Sequence, residues 1–112
     1  MPATSTALPS GATLRRLAAQ DMGAVAQIDA AITGRSRRSF FERRLEAALR
    51  EPAVNLQFAV EQEGRVAGYL LARKLEGEFG RAEPALRLEI IGVAPGKQGK
   101  GLGLALLRKL QD

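Results

Sequence analysis

The 112-residue chain contains no cysteine, no histidine and no tryptophan, and only 4% of it is aromatic. Each absence removes a class of chemistry. Without cysteine there is no disulfide, no zinc–thiolate site and no thiol nucleophile, and the redox compartment stays open. Without histidine, Ser-His and Cys-His catalysis fall away, as do imidazole ligands, so no metal is expected. No apolar run approaches the roughly 18 residues of a membrane-crossing helix. Met1-Pro2-Ala3-Thr4-Ser5-Thr6 has no basic stretch leading into an apolar core. Neither a secretory signal nor a membrane partner is therefore expected, and a cytoplasmic location is. Few aromatics also mean few surfaces on which nucleic-acid bases stack.

The chain does carry charge: 17 Lys and Arg against 12 Asp and Glu, a net of +5. A basic balance makes nucleic acid a legitimate candidate. Yet Arg43, Arg44 and Arg50 alternate with Glu42, Glu46 and Glu51. Such mixing disfavours a phosphate-tracking surface, and no nucleic-acid partner is expected. The densest basic run is Arg35-Ser36-Arg37-Arg38. It reads as a solvated loop, or as an attractor for an acidic substrate or for cofactor phosphates.

With 46% apolar residues, one domain with its own core is expected. Residues 1–11 lack periodicity and read as a disordered tail, leaving 12–112 as the domain. Thr13–Leu17 reads as a first strand. Asp21 is placed to cap a helix whose inner face is Met22, Val25, Ile28 and Ile32, stopped by Gly34. Ser39-Phe40-Phe41-Glu42 has the capping-box pattern, opening a second helix with Phe41, Leu45, Ala48 and Leu49 inward and ending at Pro52. Leu56, Phe58 and Val60 alternate with Gln57, Ala59 and Glu61, the pattern of a half-buried strand. Glu63-Gly64 predicts a two-residue hairpin turn. Val66–Ala72 is apolar on both faces, as a covered central strand would be, with Tyr69 in the core. A polar loop follows over 76–84, then a fourth strand over Leu86–Val93.

The most informative stretch comes next: Gln98-Gly99-Lys100-Gly101-Leu102-Gly103. It lies between that strand, with its Val93-Ala94-Pro95 turn, and a helix-patterned tail from Leu102 to Leu110. Strand, glycine-rich loop and helix start make an anion site, because unpaired N–H groups and the helix dipole point at the ligand. Lys97 and Lys100 add positive charge. The nucleotide-triphosphate loop requires Lys and Ser/Thr where Leu102 and Gly103 stand. The dinucleotide fingerprint requires a third glycine where Leu104, or Leu106 in the other register, stands. The remaining pattern, [QR]-x-x-G-x-[GA], is satisfied by Gln98, Gly101 and Gly103. Preceded by V-x-P and followed by an amphipathic helix, it resembles the acetyl-CoA pyrophosphate loop of the GNAT superfamily of N-acetyltransferases. Arg65-Val66-Ala67-Gly68-Tyr69 likewise resembles the third strand of those domains.

The resemblance covers about residues 12–112 and implies an α/β (α+β) fold of order β-α-α-β-β-β-α. The sheet would be mixed but mainly antiparallel, with helices on both faces. It corresponds to the first two-thirds of such a domain: the family's fifth strand, fourth helix and final strands are missing. The implied function is transfer of an acetyl group from acetyl-CoA to a primary amine, by direct attack in a ternary complex. The alternative is a non-catalytic CoA-binding module or an inactive fragment of a longer acetyltransferase. The implied partners are a small-molecule or peptide amine, with a homodimer or a complementing C-terminal segment completing the fold.

The resemblance assigns the pyrophosphate to the backbone of Gln98, Gly99, Lys100, Gly101, Leu102, Gly103 and Leu104, with the Gln98 side chain fixing the loop. Gly101 and Gly103 leave room for the phosphates and for close helix packing. It lays the pantetheine arm along Ile91, Gly92 and Val93 as an added strand, with a backbone N–H near Val93 facing the thioester oxyanion. Gly92 marks either a bulge or a close contact. The attacking amine must lose a proton, and Glu89, the one carboxylate inside the fourth-strand run, is the candidate base. Alternation puts it on the face of Ile91, Val93 and Arg87. The other reading of Glu89 is an ion pair with Arg87 or Arg73. Many relatives carry the glutamate two positions earlier, where this chain has Arg87. The tyrosine that protonates the leaving thiolate belongs to the missing helix, so no general acid is assigned.

Overall fold

Glu63 and Gly64 both adopt positive φ, 56° and 77°. That is the requirement of a type I′ hairpin turn, whose twist matches the strands it joins. The turn links β2 (Asn55–Gln62) to β3 (Arg65–Leu75), and these two strands form the centre of the sheet. The computed structural model describes residues 11–35, 37–75 and 85–111. Within them the order is β1 (Ala12–Arg16), α1 (Met22–Thr33), α2 (Arg38–Arg50), β2, β3, β4 (Ala85–Val93) and α3 (Leu102–Gln111). The expected tail over 1–11, apart from Gly11, and the expected loop over 76–84 lie outside the described residues. Every pairing in the β1-β2-β3-β4 sheet is antiparallel, so the expected mixed character is absent among the described residues.

Two apolar layers sandwich the sheet. On one face, α3 sets Leu102 and Leu106 against Phe58, Val60, Leu70 and Ala72. On the other, α1 and α2 set Met22, Val25, Ile28 and Phe41 against Tyr69 and Leu71. Alternation along β3 sends Leu70 to one layer and Tyr69 and Leu71 to the other, so this strand is covered on both sides as expected. Burying each large side chain contributes about 1.5–3 kcal/mol.

Several local expectations are corrected. β2 is not half-buried: Asn55, Gln57 and Ala59 are as buried as Phe58 and Val60. The polar face lies under α2, where Gln57 Nε2 donates to the Arg44 carbonyl at 2.9 Å and Asn55 Nδ2 donates to the carbonyls of Ala47 and Glu51. Ser39 does not cap α2, which starts one residue earlier and has no side-chain cap bond. Its entry is set instead by Arg37, whose Nε donates to Asp29 Oδ2 at 2.9 Å. Asp21 sits at the N-cap of α1 but makes no cap bond there. Its carboxylate accepts from Arg15 and from the Ala18 N–H, both at 2.7 Å. Those hydrogen bonds, Arg15 first, hold the Asp21 carboxyl below its ordinary range. Ile32 and Leu49, placed inward by periodicity, are 45% and 71% exposed. Each lies in the last turn of its helix. Gly34 ends α1 as expected, with φ 77° and its N–H on the Ala30 carbonyl.

Candidate functional site

At the C-terminal end of β4 the chain turns through Ala94-Pro95-Gly96-Lys97, closed by the Lys97 N–H on the Ala94 carbonyl at 2.9 Å. Gly96, Gly99 and Gly101 all have φ between 78° and 87°. Side-chain-bearing residues seldom adopt that region, so three glycines are what lets this loop coil. Gln98 does what its pattern predicts: its Nε2 donates to the Val93 carbonyl at 3.1 Å, tying the loop to the strand end. The first helical bond of α3 runs from the Ala105 N–H to the Gly101 carbonyl, 3.0 Å. The N–H groups of Leu102, Gly103 and Leu104 therefore precede the helical ladder and have no partner within the helix. A Cβ built at Gly103 would meet only Val93 Cγ2, at 3.8 Å. Ordinary packing does not require glycine there. Lys97 lies 3.6 Å from Glu63, and Lys100 is exposed beside the loop. These are backbone donors and cations suited to a pyrophosphate, and the residues fit that group.

The sheet edge beside the loop is open among the described residues, because β4 pairs only with β3. Ile91 and Val93 pack toward α3 and Ile90 toward α1 and α2. Gly92 is not the bulge. It lies opposite Tyr69, and a Cβ there would fall 2.6 Å from Tyr69 Cζ and Oη. The bulge lies three residues earlier: Leu71 pairs with Ile90 and Ala72 with Leu88, leaving Glu89 as the extra residue. The bulge turns Glu89 onto the α1/α2 face, not the face of Ile91 and Val93 that strict alternation implies. There Glu89 is 11% exposed, and its Oε2 accepts from Arg44 Nη2 at 2.5 Å. The partner is thus Arg44 of α2, not Arg87 or Arg73. Arg44 also lies over the Phe40 ring, 5.5 Å from its centroid.

Tyr69 is buried, edge-on to Phe41 at 5.6 Å between ring centroids. Burial, with Asp29 adding to it, pushes the phenol up to about 12. Sequence reasoning missed Arg44, and it missed Asp29, which is only 1% exposed on α1. No local pattern marks either one, since the partners of both sit on other elements. Among the described residues no group of acidic or imidazole side chains is arranged to hold a metal. No helix there is long and apolar enough to cross a membrane.

The sequence model of the Acetyltransferase (GNAT) family matches residues 20–112. The chain belongs to the GNAT family. Solved structures share its fold. Glucosamine-6-phosphate N-acetyltransferase from Arabidopsis thaliana superposes with a TM-score of 0.75 at 21% identity, over 90% of this chain and 72% of that one. A GNAT family acetyltransferase from Brucella melitensis, in complex with acetyl-CoA, gives 0.62 at 23%, over 89% and 66%. An aminoglycoside antibiotic 6'-N-acetyltransferase from Acinetobacter haemolyticus gives 0.70 at 18%, over 88% and 68%. This GNAT chain thus spans roughly two-thirds to three-quarters of each neighbour's length. No curated protein matches the sequence. GNAT membership places the chain among the acetyltransferases, and α3 is the last element described in it.

Proposed function

We propose that this chain transfers an acetyl group from acetyl-CoA to a primary amine by direct attack in a ternary complex. One observation carries the reading: a glycine-coiled loop, tied to β4 by Gln98, delivers the free N–H groups of Leu102, Gly103 and Leu104 beside an open strand edge. The pyrophosphate takes the backbone from Gln98 to Leu104. The pantetheine amides run along Ile91-Gly92-Val93 as an added strand. Glu89 takes the amine proton, and the amine then reaches the acyl carbon from the α1/α2 side, where the bulge aims that carboxylate. No donor from the described residues reaches Glu89 Oε1, which leaves that oxygen for the amine.

A loop glycine tests the cofactor half. Gly103→Ala adds a methyl that meets only Val93 at an ordinary distance. Removing a helical glycine should leave stability unchanged or raise it by about 0.5–1 kcal/mol. The same methyl intrudes where the phosphates approach, so CoA affinity measured by calorimetry should fall at least about tenfold, near 1.4 kcal/mol. Unchanged affinity removes the phosphate assignment.

The second reading, a CoA-binding module without turnover, is favoured by the state of Tyr69. The chain's one tyrosine is buried with Phe41 and Leu71 under α1 and α2, so no tyrosine is exposed to meet a leaving thiolate. Turnover of acetyl-CoA with a panel of amines separates the two readings.

The fold also needs cover. Leu86 and Leu88 on β4 are 48% and 43% exposed, Leu104 and Leu107 on α3 are 55% and 38%, and the β4 edge is open. Such a surface favours association. We propose that a second copy or a complementing segment covers it. Sedimentation of the 112-residue chain at micromolar concentration should show a species larger than a monomer. A compact, cooperatively folded monomer that leaves hydrophobic dyes unbound rules this out.

A further inference from the structure

Two arginines face each other across the strand pair that carries the site. Arg73 of β3 is the register partner of Arg87 of β4. Residues directly opposite in an antiparallel pair project from one face, with Cβ atoms about 4.5–5.5 Å apart. Leu71, two residues before Arg73, packs into the layer under α1 and α2. Alternation therefore puts Arg73 and Arg87 on that layer's face. The bulge turns Glu89 onto the same face, and α2 supplies Arg44.

Three arginines and one carboxylate thus share this face of the sheet, and that carboxylate is bonded to Arg44. Among the described residues neither Arg73 nor Arg87 is paired with an acid. The Arg44 Nε is buried and has no partner there. Like charges placed directly opposite weaken a sheet, so the pair works against the fold. Arg73 is half-buried and Arg87 exposed, and solvent reaches both.

We propose that Arg73 and Arg87 form a subsite for an oxyanion, a carboxylate or a phosphate, carried by the amine acceptor. This rests on the acyl-transfer reading of the same face. A guanidinium fork matches either oxyanion with paired, charge-assisted hydrogen bonds. Arg87 and Glu89 are two residues apart on one strand, about 7 Å. An amine at Glu89 and an acid group at Arg87 therefore belong to one small molecule. The acceptor class is a small amine that also bears an acid. Polyamines and plain alkylamines are disfavoured, because they bring further positive charge to three arginines.

The test uses the full 112-residue chain and the double variant Arg73→Gln/Arg87→Gln. Without added anion, relief of repulsion should leave the unfolding midpoint of the variant equal to or above that of the parent. Inorganic phosphate should then raise the midpoint of the parent more than that of the variant. Because the Gln98–Gly103 loop is intact in both proteins, the difference reports the arginine pair. Amide NMR should show phosphate shifts around Arg73 and Arg87 in the parent, and around the loop alone in the variant. In transfer assays, 3-aminopropanoate and O-phosphoethanolamine should exceed propylamine and ethanolamine in kcat/KM by about ten- to a hundredfold, and the variant should lose that preference. Which of the two acids leads tells carboxylate from phosphate.

The proposal is overturned if the variant is less stable than the parent without anion, since the pair then already has an acid partner in this chain. It is overturned equally if phosphate shifts appear only at the loop, or if both proteins show the same preference among amines. Phosphate shifts at Arg73 and Arg87 with no amine acetylated would sink the acyl-transfer reading and leave the anion subsite standing.

Discussion

Glu89→Gln should lower acetyl transfer by roughly 10²–10⁴ and leave CoA affinity within a few-fold. Glutamine keeps the shape of the side chain and an oxygen that accepts from Arg44, so the 2.5 Å contact that anchors Glu89 to α2 retains a counterpart. What is lost is a carboxylate able to take a proton from an ammonium. Weakening the charge-assisted bond should cost about 1–2 kcal/mol of stability, too little to unfold the domain. The measurement is steady-state turnover of acetyl-CoA with an amine, beside a calorimetric titration with CoA. Turnover within a few-fold of the parent would return Glu89 to a structural role as the partner of Arg44.

The largest effect on stability is expected at Gly92. A Cβ there lies 2.6 Å from Tyr69 Cζ and Oη, and 2.9 Å from Cε2. The ring has little room to retreat: it is 1% exposed and edge-on to Phe41. Gly92→Val should destabilise the domain by about 3 kcal/mol, lowering the thermal midpoint by ~12–24 °C. The companion variant Tyr69→Leu removes the clashing ring. In a double-mutant cycle the two losses should be markedly less than additive. Additive losses would mean that the ring is not what demands glycine at this position.

The β-strands were the most legible part of the chain. Alternation over Leu56–Val60 and the doubly apolar run Val66–Ala72 located β2 and β3, and Glu63-Gly64 located their turn, because a strand's side-chain period and a turn's φ requirements are local properties. The Gln98–Gly103 loop was legible for the same reason: its glycines answer to their own backbone angles and its donors to the helix start. Helix entries were less legible. Ser39 fits the capping pattern, but Arg37 reaching Asp29 fixes where α2 begins. Asp29 carries no local signal, and its buried carboxylate is paired by Arg37, eight residues further on.

From the sequence alone came the order of elements, the glycine-rich loop before α3 and the exclusion of cysteine and histidine chemistry. These depend on residue type and on spacing within a few positions. Tertiary structure alone decided which way Glu89 points, what it touches and which charges surround it. One extra residue in β4 moves a side chain from one face of the sheet to the other, and strict alternation carries no mark of where a bulge falls. The meeting of Arg44 with Glu89, 45 residues apart in the chain, and of Arg73 with Arg87 is likewise fixed by helix packing and strand register. Those contacts between distant segments give the acid beside the glycine-rich loop a specified face and a specified set of charged neighbours.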